Sequence, residues 1–369
     1  MESREVSSWN FSMQARIYIR IFRFMYEEHL KIMPKKSVSS VLTASCKEGP
    51  LNYWCDLKLA GLIPLLILVV ILSTIVKIYL GELALDILSM ARWSRIFGMA
   101  CIFLLMSFLL DCIASIIVAK NFMDHGSGKI KVRALWKNVY TNPLCGIILI
   151  IVMTFGMTSA QGLSNYYRVI ATTWYDANLW ALEAPIFYVL KKSFIDVPIF
   201  WDYIYFAYWL YLFIVYCVLY RIRRFNDLTT ITISIILCFF ITRWIAIHYP
   251  TAGPAFFNPS MFDNSGTISE DVQKWLVKYM LGEIHQDGFI PGTMAMPSLH
   301  VGVTAMAAWF LSRNVERTLW FSIPWICLTW ISTLMLGWHY LLDGVGGIAV
   351  AFVAVIVARG VQALMRVRG

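Results

Sequence analysis

Apolar stretches of about 20 residues, the length at which a helix crosses a bilayer, recur along this chain and restrict its folding more than any motif does. They fall near 58–80, 96–119, 143–163, 201–220, 230–249, 298–312, 319–337 and 340–358. Charged residues make up only 14% of the chain, against roughly 25% in soluble domains. Backbone polar groups find no water in hydrocarbon, so segments of this kind fold as helices. The expected fold is all-α: a polytopic membrane protein of about eight transmembrane helices. The stretch at 298–312 is the shortest, and its first turn is expected to border a polar cavity.

The net charge of +9 would fit nucleic-acid binding, but its distribution points elsewhere. With these spans, 21 of the 31 Lys and Arg fall in loops on one side and 7 on the other, while Lys58, Lys77 and Arg243 fall inside spans. The rich side is cytoplasmic by the positive-inside rule. Both termini are then cytoplasmic, and segments 164–200 and 250–297 lie outside. The bilayer is the partner that this charge implies, and no nucleic acid is needed.

Residues 1–57 carry Arg16, Arg20, Arg23 and Lys31 among Ile, Phe and Tyr. They read as a cytoplasmic amphipathic segment at the membrane surface, not as a cleavable leader. Residues 58–119 supply two accessory spans, and 359–369 form a basic cytoplasmic tail. The eight cysteines lie in spans or in the amino-terminal segment, so no disulfide framework is implied. Nothing in the sequence sets an oligomeric state. The stretch "WALEAPIFYVLKK" (180–192), with Trp174 and Trp180 as anchors, reads as a helix lying in the outer interface. Segment 250–297 is punctuated by Pro and Gly at both ends. Irregular backbone is expected there, which membrane depth tolerates only where it lines a cavity. In its middle, Ser269 before an acidic pair reads as a helix cap.

Four of the six histidines, His248, His285, His300 and His339, map to the outer side or its boundary. A membrane-edge histidine is more often a structural hydrogen-bonder, the reading preferred for His248 and His285. His339 and Asp343 stand four apart in "GWHYLLDGVGG". On a helix they would share a face. A carboxylate accepting the Nδ1 proton would then leave Nε2 as a free lone pair, the recipe for an activated nucleophile or base. A plain helix-stabilising pair fits as well. His300 begins the sixth span in "PSLH" (297–300), one helical hairpin away from His339, so the two share a depth. Ser298 is placed as an N-cap, and a helix N-terminus is a seat for an anion such as phosphate. Arg243, near the outer half of its span, is a candidate phosphate ligand, although snorkelling to the interface explains it equally. His300, His339 and Asp343 as a metal site is the lesser alternative. Gly344, Gly346 and Gly347 read as helix-packing residues.

These motifs resemble the type 2 phosphatidic acid phosphatase superfamily, the lipid phosphate phosphatases. Its pattern is a Lys/Arg-Pro element, then Pro-Ser-Gly-His, then Ser-Arg with a distant His-x-x-x-Asp. "PSLH" matches the second element with Leu299 for glycine, and "HYLLD" (339–343) ends the third. The resemblance covers 143–358 and implies a six-helix phosphatase or phosphotransferase core there. It implies His339 as nucleophile, Asp343 as its orienting carboxylate, His300 as general acid and Ser298 on a phosphate oxygen, with no metal or other cofactor. Ser332 and Thr333 stand where the family has Ser-Arg, and the first-motif cations would align with Thr242 and Tyr249, leaving Arg243 one position off. A site poor in fixed cations suits a phosphodiester, with one negative charge, better than a monoester. That loss looks like the inositol-phosphorylceramide synthase and sphingomyelin synthase branch, which moves a phospho-headgroup onto a lipid hydroxyl. Three readings follow: a phosphotransferase between lipid-linked phosphate substrates, a hydrolase of a lipid phosphate or polyprenyl pyrophosphate, and a non-enzymatic lipid transporter or receptor.

Overall fold

The computed structural model describes residues 90–123, 144–170, 173–194, 197–222, 224–281, 283 and 294–367, with five isolated residues between 71 and 78. The amino-terminal segment 1–57 and most of the span at 58–80 lie outside the described residues. So does His285.

Among the described residues the fold is all-helical. In chain order the helices are α1 (Met90–Met123), α2 (Leu144–Ile170), α3 (Asp176–Ser193), α4 (Pro198–Arg221), α5 (Phe225–His248), the single turn α6 (Pro254–Phe257), α7 (Ile268–Met280), α8 (Leu299–Asn314), α9 (Leu319–Met335) and α10 (Leu341–Val367). Four of them carry segments long and apolar enough to cross a membrane: Arg92–Leu110, Pro198–Arg221, Phe225–His248 and Leu341–Ala363. Gly146–Ala160 and Leu319–Met335 are apolar but shorter. The basic residue Arg359, expected in a separate tail, continues α10 instead, because nothing before Val367 breaks the helix.

Burial explains why α8 is short and not strongly apolar. It packs against α4, α5, α9 and α10, and Val301, Thr304, Met306, Ala307, Ala308 and Phe310 are all buried. A helix walled by protein needs no lipid-facing stripe. The outer helices show that stripe: Phe97, Ile102, Leu105 and Phe108 are exposed on α1, and Val345, Phe352, Val353 and Ile356 on α10. Apolar surface of this extent fits a lipid environment.

The main core joins α2, α4, α5, α8 and α10 through residues such as Leu149, Met153, Val215, Tyr216, Ile235, Phe310 and Ala354. Several hydroxyls inside it are satisfied within their own helices: Thr154 donates to the Ile150 carbonyl, Thr232 to Leu228 and Ser234 to Thr230. This back-bonding pairs those polar groups inside apolar helices. Where α8 crosses α10, a Cβ on Gly302 would come within 2.5 Å of the Gly347 carbonyl oxygen. Gly347 and Gly344 are packing residues, as read from the sequence: a Cβ would strike the Ser298 carbonyl in one case and the Trp330 ring in the other. Gly302 is the partner that the motif reading missed.

Helix α3 is more than an interfacial anchor. Its Asp176, Glu183 and Phe187 are buried against the protein, while Leu182, Tyr188 and Val189 are exposed. The cap of α7 also differs from expectation. Thr267, not Ser269, is the N-cap, accepting from the Glu270 N–H, and the buried Ser269 hydroxyl accepts from the Trp338 indole N–H.

Candidate functional site

Three irregular segments, 249–253, 294–298 and 336–340, meet at one end of the bundle. Thr251 joins the first two: its carbonyl accepts from the Ala295 N–H at 2.8 Å and its hydroxyl from the Met296 N–H at 3.0 Å. The Met296–Pro297 peptide is cis. Gly337 accepts from the Ala255 N–H. Gly253 and Gly337 have φ of 114° and 68°, and a Cβ on Gly253 would press on the Trp338 carbonyl, so both positions need glycine.

Buried carboxylates satisfy further N–H groups in consecutive pairs. Asp176 accepts from Ala252 and Gly253 at 2.8 and 2.9 Å. Asp202 accepts from Ile268 and Ser269 at the start of α7. Glu183 accepts from Leu341 and Leu342 at 2.6 and 3.0 Å, capping α10. Burial pushes the Asp176 and Glu183 carboxyls above the ordinary carboxylate range, while these N–H bonds pull them back. None of the three acids was singled out in the sequence. Their signal was there: carboxylates inside apolar stretches.

His339 sits just before α10, not on it, because the helix begins at Leu341. The shared helical face expected for His339 and Asp343 is therefore absent. The Nδ1 atom of His339 lies 2.6 Å from the Ala295 carbonyl oxygen and 3.6 Å from Asp343 Oδ2. A carbonyl only accepts, so Nδ1 carries the proton and Nε2 is left as a lone pair. The Asp343 carboxylate accepts from the Tyr340 N–H at 2.7 Å, a turn that holds the histidine loop on the first turn of α10. It is fully buried.

His300, on the first turn of α8, stacks on Tyr205 with ring centroids 4.2 Å apart and meets Tyr208 edge-on at 4.3 Å. Trp338 stacks on the other side of this group, against Tyr205. The His300 Nδ1 atom is buried without a protein hydrogen bond. The His300 and His339 rings are 5.7 Å apart, and both line one cavity of about 460 Å³. Both imidazoles therefore face the same bound group, whatever occupies that cavity.

Arg243 lines the same cavity. It is buried, and its Nε has no protein partner. Snorkelling therefore does not describe it, and its offset from the family register does not remove it from the site. Arg95 of α1 also lines the cavity. The sequence had placed it in a loop, so a site poor in cations is not what the geometry presents. Ser298 caps α8, its hydroxyl accepting from the Val301 N–H at 3.5 Å. It is fully buried and is not among the cavity-lining residues, while its neighbours Pro297 and Leu299 are. His248 is exposed at the end of α5, its Nδ1 beside the Trp244 carbonyl. Among the described residues no three His, Cys, Asp or Glu side chains cluster as a metal site.

Neither curated proteins nor solved structures give a match to the chain. Residues 177–357, which span α3 to α10 and both histidines, match the family model described as the PAP2 superfamily, and this match supports the resemblance read from "PSLH" and "HYLLD".

Proposed function

We propose that the protein is a membrane phosphotransferase that moves a phospho-headgroup between lipid-linked substrates through a phosphohistidine on His339. The observation that carries the reading is the pair of imidazoles 5.7 Å apart in one cavity, one of them held with Nε2 free. In the first step Nε2 of His339 attacks phosphorus, the bond to the leaving oxygen breaks, and His300 gives that oxygen a proton. In the second step His300 takes the proton of an acceptor hydroxyl, whose oxygen attacks phosphorus and releases His339. Arg243 balances charge on the phosphoryl oxygens. Ala295 and Asp343 fix the ring that attacks. Nothing in these steps calls for a metal ion or other cofactor.

Hydrolysis of a lipid phosphate monoester is the second reading, and one observation favours it. Two guanidinium groups on the cavity wall suit the nearly doubly charged monoester. Apolar walls, including Met99, Met157 and Phe239, favour a second lipid over water as acceptor. Mass spectrometry of lipids from membranes with and without active protein, run with an assay of released phosphate, decides between them. A new phospholipid without phosphate release supports transfer. Phosphate release alone replaces transfer with hydrolysis. No change in either removes both and leaves a lipid transporter or receptor.

The site is proposed to open on the non-cytoplasmic side, on the strength of the Lys and Arg distribution. The exposed Ser265, changed to Cys, should then react with an impermeant maleimide from outside. Labelling from the cytoplasmic side alone would reverse the orientation.

A further inference from the structure

We propose that Arg95 is a second phosphate ligand and that α1, which precedes the matched region, forms one wall of the substrate site. This rests on the reading of the cavity as a phosphate-transfer site. Arg95, Gly98, Met99 and Ile102 all line the cavity that holds His300, His339 and Arg243. Their spacing of three, four and seven puts them on one face of α1. That face has a cation at one end and apolar surface below it, the pattern that a phosphate-bearing amphiphile requires. A Cβ on Gly98 would meet nothing within 4 Å, so the wall is open beside the arginine, with room for a chain.

The positions where the family carries its cations supply none here. The Thr242 hydroxyl is turned back to the Cys238 carbonyl within α5. Ser332 and Thr333 are buried and donate to the Thr329 and Trp330 carbonyls. Arg243 is a single positive charge in a cavity whose described lining residues include no carboxylate. A phosphate monoester carries up to two negative charges, and Arg95 is the second cation on the same wall. The matched region alone would leave the substrate half-neutralised.

The test uses the full chain in detergent micelles, with inorganic phosphate as probe and tryptophan fluorescence as readout, since Trp209 and Trp338 line the cavity. Arg95→Gln is expected to weaken phosphate binding by about tenfold or more, the worth of one charge-assisted hydrogen bond, while Arg95→Lys retains most of the affinity. A dissociation constant for Arg95→Gln within twofold of wild type would overturn the proposal. A measurement on unmutated protein covers the case in which Arg95→Gln fails to fold: phosphate should protect Arg95 from phenylglyoxal, read by peptide mass spectrometry, and absence of protection would also overturn it. Gly98→Leu separates a lipid headgroup from free phosphate. It should weaken dioctanoyl phosphatidic acid by about tenfold and leave inorganic phosphate within twofold; no loss for the lipid would overturn the chain-side half. If Arg95 binds phosphate but wild-type protein turns over no lipid phosphate, the transfer reading fails and the anion site stands.

Discussion

Around His339 the chain runs as irregular backbone, and many of the N–H groups there and at the helix starts beside it go to buried carboxylates: Asp176, Glu183, Asp202 and Asp343. In the body of the bundle, helices meet through aliphatic and aromatic side chains and through the glycine contact of α8 with α10. The two regions answer one requirement by different means. Buried backbone polar groups must be paired. A helix pairs its own, so the body needs only shape. A loop that must present a histidine to a cavity cannot, so acids from α3 and α4 are brought in to do it. The loops at this rim therefore tolerate changes of polarity poorly, and the body tolerates changes of volume poorly.

That contrast is open to test. The largest stability loss should come from Gly302→Val, since the new side chain meets the Gly347 backbone, which has no rotamer to change. More than about 3 kcal/mol is expected, read as thermal unfolding in detergent; Val353→Ala, on the exposed face of α10, serves as control. Next comes Glu183→Ala, which leaves the Leu341 and Leu342 N–H groups without their carboxylate. About 2–3 kcal/mol is expected, together with loss of activity as the His339 loop loosens. A loss as large in Glu183→Gln would show that charge matters beyond acceptance of hydrogen bonds.

The same acids give the rim a pH dependence that the body lacks. Asp176 and Glu183 have folded-state values raised by burial. For an acid so shifted, the stabilisation is complete below the unfolded value and is lost as pH rises through the folded one. Unfolding temperature should therefore fall as pH rises out of the ordinary carboxylate range. The fall should be smaller in Glu183→Gln and unchanged in a body variant such as Thr232→Val. That last change removes the Tyr216 to Thr232 hydroxyl contact and is expected to cost only about 1 kcal/mol.

The body was legible in the sequence because hydropathy reports it directly: the stretches at 201–220, 230–249 and 319–337 fall within or beside α4, α5 and α9. The rim was not, because loop pairing leaves no periodic trace. "HYLLD" suggested a helical pair, yet the helix starts two residues after His339. The first motif suggested missing cations, since register in one helix says nothing of Arg95 arriving from another. Ser298 was legible as a cap, because a serine before an apolar run marks a helix start. His300 and His339 were found through their motifs, but Tyr205 and Tyr208, which hold His300, were not, since aromatic residues fill α4.

The placement of Asp343 sharpens the catalytic reading. With Nδ1 of His339 already bonded to Ala295, Asp343→Asn should lower turnover by about 10–100-fold, in the range of a supporting outer-shell contact, and by less than the roughly 10⁴-fold loss seen where the carboxylate alone sets the tautomer. His300→Ala should lower it by about 10²–10⁴-fold, the usual share of general acid catalysis.

The most direct measurement is peptide mass spectrometry of protein quenched under alkaline conditions after brief exposure to a phospholipid donor. The account predicts an acid-labile phosphoryl or phospho-headgroup adduct on His339, absent in His339→Ala and slow to form in His300→Ala, with its mass distinguishing a monoester from a diester donor. An adduct on His300 instead, or full turnover by His339→Ala, would contradict it.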